Sequence, residues 1–460
     1  MQTSGDAALE ELRAVLPGDV VVSGGAAVEK YRYDWSRDRS AGTPLAVVRA
    51  EDASQVQTAV RWAAAHRVPV VPRGAGSGLS GGANAVDGGI VIGLERMDGI
   101  EIDPSCQVAV VEPGAFNKDV KAAAAKEGLW YPPDPSSFEI CSIGGNVATN
   151  AGGLCCVKYG VTTDYVLGLD VVLADGTLVT LGGKRIKDVA GLSLVKLFVG
   201  SEGTLGIVTR AILRLVPAQG ARSTMVATFD TVTAAAEAVV AIRTTMRPCL
   251  LELMDRATIN AVEDFKPMGL DRTVGALLIG QSDAPGNVRS GEIAAMQAAC
   301  DAAGAGECFI TDDADEGEMF VQARRISFHA LEQRGALLLE DVGVPIPRLP
   351  ELLAKIVAIS QAHDVEIPTV AHAGDGNTHP LIVYDARDAE SERRARAAFL
   401  EVMAAAIELG GTITGEHGVG RAKAVALPDQ LGPDVMALTR KIKDALDPDG
   451  ILNPGAILGR

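Results

Sequence analysis

The stretch Val71-Pro-Arg-Gly-Ala-Gly-Ser-Gly-Leu-Ser-Gly-Gly82 decides the fold class, because it places five glycines within nine residues after an apolar, strand-like segment. Glycine lets backbone N–H groups turn inward and lets a bulky anion approach closely, so the stretch predicts a phosphate-binding loop. Its Gly-x-Gly-x-x-Gly spacing also matches the dinucleotide fingerprint, which requires a helix directly after the glycines. The chain continues as Ala-Asn-Ala-Val-Asp-Gly-Gly, where no helix is predicted. A nucleotide-binding fold other than the Rossmann fold is therefore expected.

The composition is that of a large acidic globular protein. With 460 residues, of which 47% are hydrophobic, the chain is long enough for two or three domains. A net charge of −17 argues against nucleic acids and anionic membrane surfaces as partners. We find neither an apolar run long enough to span a membrane nor a signal-peptide pattern at the N-terminus. Seven cysteines without a Cys-x-x-Cys pair indicate a reduced, cytoplasmic protein with buried thiols.

Periodicity predicts two regions of alternating strands and helices, separated by a polar break at 217–222. In the first region we predict helices at 7–16, 53–66 and 117–127, strands at 20–23, 45–48, 68–71, 90–94 and 108–111, and a hairpin of strands 165–173 and 177–181. In the second region we predict strands at 224–229, 250–254, 274–279 and 308–311, and helices at 231–246 and 291–303. This second pattern is typical of an α+β domain reaching about residue 413. A helix at 433–446 is predicted in the tail.

Two further glycine-rich segments, at 141–153 and 199–208, accompany the phosphate loop. Both are predicted to be loops, in which glycine, having no side chain, allows the backbone to approach a large flat ligand. In the first of them, four small polar residues are available for hydrogen bonds, namely Ser142, Asn146, Thr149 and Asn150. Three such segments within 140 residues favour a shared ligand over ordinary steric packing.

Three of the six histidines, His372, His379 and His417, fall in two short glycine-containing stretches. Imidazole with carboxylate suits zinc and other divalent transition metals. His372 and His379 flank a Gly-Asp-Gly-Asn turn, so both can face one pocket, and Glu416 or Asp375 could add a carboxylate. A tight loop with incidental histidines is the alternative. If the chain is extended at Glu416 and His417, their side chains diverge, which leaves His417 as a candidate general base.

These motifs together resemble the flavoproteins with an FAD-binding domain of the vanillyl-alcohol-oxidase/p-cresol-methylhydroxylase type. Within that group the chain is most similar to the D-2-hydroxy acid dehydrogenases, which include D-lactate dehydrogenase, the flavin subunit of glycolate oxidase and D-2-hydroxyglutarate dehydrogenase. The resemblance runs from about residue 44 to the C-terminal Asn-Pro-Gly. It rests on the motifs Pro72-Arg-Gly-Ala-Gly-Ser-Gly78, Ile143-Gly-Gly-Asn146, Gly200-Ser-Glu-Gly-Thr-Leu-Gly206, His372-Ala-Gly-Asp-Gly-Asn377 and Gly415-Glu-His-Gly418.

The resemblance implies an α+β fold in which a two-subdomain FAD-binding domain is joined to an α+β cap domain that binds substrate. The corresponding division is an N-terminal helical segment at 1–43, the FAD-binding domain at 44–217, the cap domain at 218–413, and a C-terminal segment at 414–460 that returns to the flavin. The implied activity is oxidation of a 2-hydroxy acid to the 2-oxo acid by hydride transfer to flavin N5, assisted by a divalent metal, zinc or manganese.

The resemblance also assigns roles to individual residues. His417 is the implied base, Arg324 and Asn377 the substrate-binding residues, and His372, His379 and Glu416 the metal ligands. The implied FAD-binding residues are Arg73, Gly74, Ala75, Gly76, Ser77, Gly78, Leu79, Pro135, Ser142, Gly145, Asn146, Asn150, Glu202, Gly206, Ile207, Val208 and Asn453.

Two departures from the family pattern refine the expectation. Relatives with covalent flavin carry a histidine in or near the phosphate loop, whereas none lies between His66 and His329 here, so FAD is expected to bind non-covalently. D-2-hydroxyglutarate dehydrogenases carry a lysine where this chain has Leu339. A small acid such as D-lactate or glycolate therefore fits better, with D-2-hydroxyglutarate as the alternative.

Two other activities are kept as alternatives. The alkyl-ether lipid synthases share the fold and use FAD without net redox chemistry, and an electron-transfer subunit would depend on a separate iron–sulfur protein. The resemblance leaves the electron acceptor open among a quinone, a cytochrome, an electron-transfer flavoprotein and an iron–sulfur partner. A cytoplasmic protein, peripheral to the membrane only through that acceptor, is expected, and a homodimer is one assembly left open.

Overall fold

The computed structural model describes residues 2–459, with side chains described from residue 8 onwards. Within this range the helices are α1 (Gln2–Val15), α2 (Gly25–Glu29), α3 (Ala53–His66), α4 (Asn117–Lys126), α5 (Ile143–Thr149), α6 (Cys156–Tyr159), α7 (Leu194–Phe198), α8 (Val232–Thr245), α9 (Arg256–Phe265), α10 (Asn287–Ala302), α11 (Ala314–Arg325), α12 (Ser327–Glu332), α13 (Leu349–His363), α14 (Ala389–Glu408) and α15 (Leu427–Leu446).

The strands are β1 (Val21–Val22), β2 (Ala46–Arg49), β3 (Val70–Arg73), β4 (Ile90–Gly93), β5 (Ile100–Asp103), β6 (Val108–Val111), β7 (Leu129–Trp130), β8 (Val166–Val172), β9 (Leu178–Gly182), β10 (Ile207–Arg214), β11 (Val216–Pro217), β12 (Ser223–Phe229), β13 (Leu250–Asp255), β14 (Ala276–Ser282), β15 (Cys308–Thr311), β16 (Ala336–Leu339), β17 (Val342–Gly343), β18 (Thr369–His372) and β19 (Asn377–Tyr384).

The chain forms two compact units. Within the described range, unit 1 comprises residues 2–152, 161–218 and 416–459, and unit 2 comprises residues 153–160 and 219–415. None of the helices in the described range combines the length and the apolar character that crossing a membrane requires. Cys106, Cys141, Cys249, Cys300 and Cys308 form no disulfide within the described residues.

Unit 1 contains two principal sheets. The first has the order β1-β2-β4-β3, in which β4 pairs in parallel with both β2 and β3. The second is antiparallel, with the order β5-β6-β10-β8-β9. Strand β4 (Ile-Val-Ile-Gly) is buried throughout, as expected for a parallel strand that is covered on both faces. Helix α3 covers the first sheet with Val56, Ala59 and Val60.

Local signals account for several of these elements. The side chain of Asp52 caps α3 by accepting a hydrogen bond from the backbone N–H of Gln55 at 2.9 Å, which stabilises a helix start. The predicted helix at 53–66 and the predicted strand at 108–111 are confirmed to the residue. The predicted hairpin is confirmed as β8 and β9, closed by the hydrogen bond from the Gly176 N–H to the Leu173 carbonyl.

The glycine-rich segment after Cys141 differs from expectation. We predicted a loop, but residues Ile143–Thr149 form helix α5, which contains Gly144 and Gly145. The helix is capped by Asn150, the residue after its end, which adopts the left-handed conformation with φ of 54°. A side chain at Gly144 would collide with Pro113, so glycine is required there by close packing, and its low helix propensity is outweighed by tertiary contacts.

Unit 2 is built on one antiparallel sheet with the order β15-β12-β14-β13-β18-β19-β16, and β17 also pairs with β19. Its core includes apolar residues of β12, β13 and β14 and of helices α9 and α11. The short segment 153–160 belongs to this unit: Leu154 is part of the core, and Lys158 and Tyr159 both contact the carboxylate of Asp283. Helix α11 was not predicted, because its sequence lacks a clear apolar stripe.

Candidate active site

In unit 1 the phosphate loop directly follows strand β3. Gly76 and Gly81 have φ of 73° and 74°, a conformation that glycine adopts without a steric penalty. At Gly74 an added Cβ would collide with the Ser142 hydroxyl, which accepts a hydrogen bond from the Ala75 N–H at 3.1 Å. Residues 74–79 remain partly accessible. A glycine-lined, accessible loop of this kind fits the pyrophosphate of a dinucleotide.

The buried side chain of Arg73 packs against the phosphate loop. Its guanidinium occupies the space in which a Cβ of Gly76 would lie, and Nη1 donates to the Ala83 carbonyl at 3.4 Å. Burial lowers the pKa of Arg73, an effect opposed by the nearby carboxylates of Asp34 and Glu95. Burial also raises the pKa of Asp34. Arg73 therefore places positive charge behind the phosphate loop.

Several polar residues of the glycine-rich segment 141–153 use their side-chain oxygens for hydrogen bonds within the chain. Asn146 Oδ1 accepts from Asn117 Nδ2 at 3.1 Å, and Asn150 Oδ1 accepts from the Thr163 N–H at 2.8 Å. Thr149 donates to the Gly145 carbonyl within its own helix. The polar groups that we expected to be available to a ligand are thus partly engaged within the chain. Of the remaining predicted FAD-binding positions, Pro135 and Gly206 are buried, Ile207 and Val208 open strand β10, and Leu79 is half-buried.

Glu202 joins the third glycine-rich segment to the C-terminal segment. Its two carboxylate oxygens accept from the backbone N–H groups of Val419 and Gly420, both at 2.7 Å. Asn453 Nδ2 donates to the carbonyls of Gly82 and Glu202, at 2.9 and 2.7 Å. Burial raises the pKa of Glu202 to about 7, although the two N–H donors oppose this shift. The C-terminal segment is therefore fastened to the phosphate loop within unit 1.

Replacing Glu202 with alanine is expected to lower the free energy of unfolding by about 3 kcal/mol, because two buried N–H groups lose their acceptor and each such loss costs about 1–3 kcal/mol. Urea denaturation of the wild type and the variant measures the change. Glu127→Ala, which alters an exposed side chain at the end of α4, is the control and should stay within about 0.5 kcal/mol. A loss below about 1 kcal/mol for Glu202→Ala would show that these N–H groups find other acceptors.

Unit 2 contains four of the predicted site residues, Arg324, His372, Asn377 and His379, and the last three lie on two paired strands. His372 ends β18, and Asn377 and His379 lie at the start of β19, where Val370 faces His379 and His372 faces Asn377. Because side chains alternate along a strand, the two histidines share a face as diagonal neighbours. Their ring centroids lie 5.0 Å apart with an interplanar angle of 87°. Asp375, the other carboxylate that we considered, accepts from the Asn377 N–H at 3.1 Å.

Each histidine faces a buried carboxylate that the sequence analysis did not assign. His372 Nδ1 lies 2.8 and 3.0 Å from the two oxygens of Glu252, and His379 Nδ1 lies 3.7 Å from Asp341 Oδ1. A carboxylate behind an imidazole is the usual arrangement for histidines that bind a metal. Imidazole nitrogens are common ligands of divalent transition metals, so the two rings with their carboxylates fit a divalent cation.

Arg324, at the end of α11, is 4% exposed, and its Nε lies 2.9 Å from Glu252 Oε2. Its Nη2 has no hydrogen-bond partner within the described residues, and neither does Oδ1 of Asn377. Buried polar atoms without partners are uncommon in folded proteins. An unpaired buried guanidinium nitrogen suits an incoming carboxylate.

Glu416 and His417 differ from expectation. An extended backbone would have made their side chains diverge, but the chain bends here, between Gly415 and Gly418, whose φ is 83°. Glu416 Oε1 and His417 Nε2 lie 3.8 Å apart, so the two side chains converge. Ser80 fixes the bend from unit 1 by donating to the His417 and Gly418 carbonyls at 3.2 and 2.8 Å.

Two family profiles match the chain. The FAD binding domain matches residues 44–182, and the C-terminal domain of FAD linked oxidases matches residues 218–457. The chain belongs to the FAD-linked oxidases. It is thus a flavoenzyme whose first region binds FAD.

Relatives of this FAD-linked oxidase span nearly its whole length. Glycolate oxidase subunit GlcD of Bacillus subtilis is 40% identical over 94% of this chain and 92% of the relative. D-lactate dehydrogenase of Archaeoglobus fulgidus is 34% identical over 94% of this chain and 96% of the relative. Among solved structures, substrate-bound p-cresol methylhydroxylase matches with a TM-score of 0.84 at 19% identity, covering 100% of this chain and 97% of that one. This oxidase therefore has the predicted α+β fold of the p-cresol-methylhydroxylase type.

Proposed function

We propose that this FAD-linked oxidase converts a small D-2-hydroxy acid, D-lactate or glycolate, to the 2-oxo acid with the help of a divalent metal. The observation that carries the proposal is the buried group of His372, His379 and Arg324: the two imidazoles contact each other, His372 and Arg324 contact the same carboxylate of Glu252, and Nη2 of Arg324 has no hydrogen-bond partner among the described residues. A metal and a carboxylate are the partners that such a group recognises. The names of the relatives, glycolate oxidase subunit and D-lactate dehydrogenase, point to the same substrate class.

The residues proposed to hold the metal, zinc or manganese, are His372, His379 and Glu416. Support for Glu416 comes from chain continuity: the preceding residue, Gly415, donates its N–H to Asp341 Oδ2 at 3.0 Å, and Asp341 also faces His379. A divalent metal at these ligands supplies a Lewis acid that lowers the pKa of a bound hydroxyl group.

Substrate orientation is assigned to Arg324 and Asn377. The Nη2 of Arg324 binds the substrate carboxylate, since charge-assisted hydrogen bonds from guanidinium are strong and directional. The Oδ1 of Asn377 is an acceptor for a hydroxyl donor. Leu339, at the end of β16, offers no charge to a second, distal carboxylate, which disfavours D-2-hydroxyglutarate and favours a small acid.

His417 is proposed as the general base that accepts the proton of the α-hydroxyl at a ring nitrogen. Its Nε2 lies 3.8 Å from Oε1 of the neighbouring Glu416. The reaction removes one proton and one hydride from the substrate and leaves a carbonyl group. FAD, when bound, supplies the oxidant by accepting the hydride at N5.

The test is an anaerobic screen of D-lactate, L-lactate, glycolate and D-2-hydroxyglutarate, in which loss of oxidised-flavin absorbance is followed by stopped flow. Rapid bleaching by D-lactate or glycolate is expected. Bleaching by D-2-hydroxyglutarate alone would reassign the substrate, and no bleaching by any acid would favour a transferase of the alkyl-ether lipid synthase type. Turnover of the purified chain with an artificial dye bypasses the natural acceptor, whether quinone, cytochrome, flavoprotein or iron–sulfur protein, and excludes a purely electron-transferring subunit.

FAD is expected to be released intact when the protein is denatured by acid or heat. The reason is the absence of histidine between His66 and His329, so that the phosphate loop offers no imidazole for covalent attachment. Absorbance of the supernatant after precipitation of the protein measures the released flavin. Flavin that stays with the precipitate after washing in denaturant would contradict this expectation.

A further inference from the structure

Glu252 lies in the middle of strand β13 and is 1% exposed, with Leu251 and Leu253 beside it. A carboxylate so deeply buried is costly unless it is paired. It has two partners: Nδ1 of His372 at 2.8 Å and Nε of Arg324 at 2.9 Å. One carboxylate thus contacts both a proposed metal ligand and the proposed substrate clamp.

The contact with His372 fixes which ring nitrogen is presented to the metal. Leu253 pairs with Ala371 across β13 and β18, and one step further along this register Glu252 faces His372. A carboxylate can only accept, so Nδ1 carries the hydrogen and Nε2 keeps its lone pair. This is the tautomer that a metal bound at Nε2 requires.

The contact with Arg324 fixes the orientation of the guanidinium group. The Nε of Arg324 is held as an ion pair that lies off the line of a hydrogen bond, and Nη2 is left without a hydrogen-bond partner among the described residues. Because the guanidinium is a planar fork, holding its Nε fixes the direction in which Nη2 points. Nη2 is the nitrogen assigned to the substrate carboxylate.

We propose that Glu252 is a positioning residue that couples the metal site to the substrate site by orienting His372 and Arg324 together. This role for Glu252 rests on the proposed function, because it requires a bound divalent metal and a 2-hydroxy acid as the substrate. Glu252 acts through its two neighbours and does not itself touch the substrate.

The first test measures metal affinity, independently of turnover. The flavin-loaded wild type, Glu252→Ala and Glu252→Gln are titrated with Zn²⁺ and with Mn²⁺ in competition with a chromophoric chelator. Loss of a carboxylate behind a ligating histidine typically costs 10–100-fold in metal affinity, so a drop of about that size is expected for Glu252→Ala. Glu252→Gln should stay within about threefold, because the amide oxygen still accepts from Nδ1.

Glu263→Gln is the matched control. Glu263 is also a buried carboxylate of unit 2, but its oxygen accepts from the backbone N–H groups of Met268 and Leu270, both at 2.9 Å. Its replacement disturbs a buried carboxylate of the same unit without touching His372 or Arg324. Metal affinity should equal that of the wild type.

The second test measures the coupling to Arg324 at saturating metal. In Glu252→Gln the neutral amide no longer forms the ion pair with Nε of Arg324, so KM for the hydroxy acid is expected to rise by about tenfold because the clamp is misoriented. If Glu252 acts through Arg324, the same change in an Arg324→Lys background should alter KM by less than about twofold.

Unchanged metal affinity in folded Glu252→Ala, or additive effects on KM in the double variant, would overturn the inference. If Glu252→Ala does not fold, the near-isosteric Glu252→Gln and its double variant still decide. Failure of the proposed function itself is seen separately, in a wild type that binds neither metal or is not bleached by any hydroxy acid.

Discussion

Replacing His372 or His379 with alanine is expected to lower turnover by about 10³-fold or more, because a Lewis acid is worth several kcal/mol and each 1.4 kcal/mol is a factor of ten. Both histidines lie on the β18–β19 hairpin of unit 2, whereas the phosphate loop belongs to unit 1. The flavin absorbance spectrum should therefore be retained while bound metal is lost. Elemental analysis and steady-state turnover with a dye measure the two effects.

His363→Ala is the control for this pair. His363 ends α13 and contacts Glu401 at the surface, so its loss should leave both metal content and turnover unchanged. Full activity of the wild type after prolonged chelation, with metal shown to be absent by elemental analysis, would exclude the metal from the reaction.

Replacing His417 with alanine should slow anaerobic flavin reduction by about 10²–10⁴-fold, the usual contribution of a positioned base. The substrate dissociation constant should change little, because Arg324 and the metal ligands remain. The backbone of the bend should also be retained, since Ser80 bonds to the carbonyls of His417 and Gly418 and does not contact the imidazole. Stopped-flow reduction over a range of substrate concentrations separates the rate from the affinity.

His66→Ala, at the surface end of α3, supplies the matched histidine control. If His417→Ala reduces the flavin within about threefold of the wild-type rate, well short of a base's usual contribution, the assignment fails. The metal alone would then have to activate the hydroxyl group.

Elements with strong local signals were predictable from the sequence. Helix α3 has both a capping aspartate and an apolar stripe, and the β8–β9 hairpin has an Asp-Gly turn. Helix α5 was missed because Gly144 and Gly145 argue locally for a loop, while packing against Pro113 requires glycine in the helix. In such cases tertiary contacts determine the secondary structure, and a single sequence does not reveal those contacts.

The candidate active site was also predictable only in part. His372 and His379 were predictable because a short turn places them on one strand pair. Glu252 lies 120 residues before His372, and its only signal is a charged residue inside an apolar strand. The convergence of Glu416 and His417 was missed because the left-handed conformation of Gly418 follows from the fold and not from residue type.

The short segment 153–160 determines where the gene for this protein can be cut to separate the two units. Since it belongs to unit 2 while its flanking residues belong to unit 1, the chain passes between the units at four points: 152/153, 160/161, 218/219 and 415/416. A gene fragment encoding only 219–415 would omit Lys158 and Tyr159, the partners of the buried Asp283, together with the core residue Leu154. Exchange of unit 2 between relatives therefore has to carry two separate pieces of coding sequence, and a recombination point placed only at residue 218 would join mismatched halves.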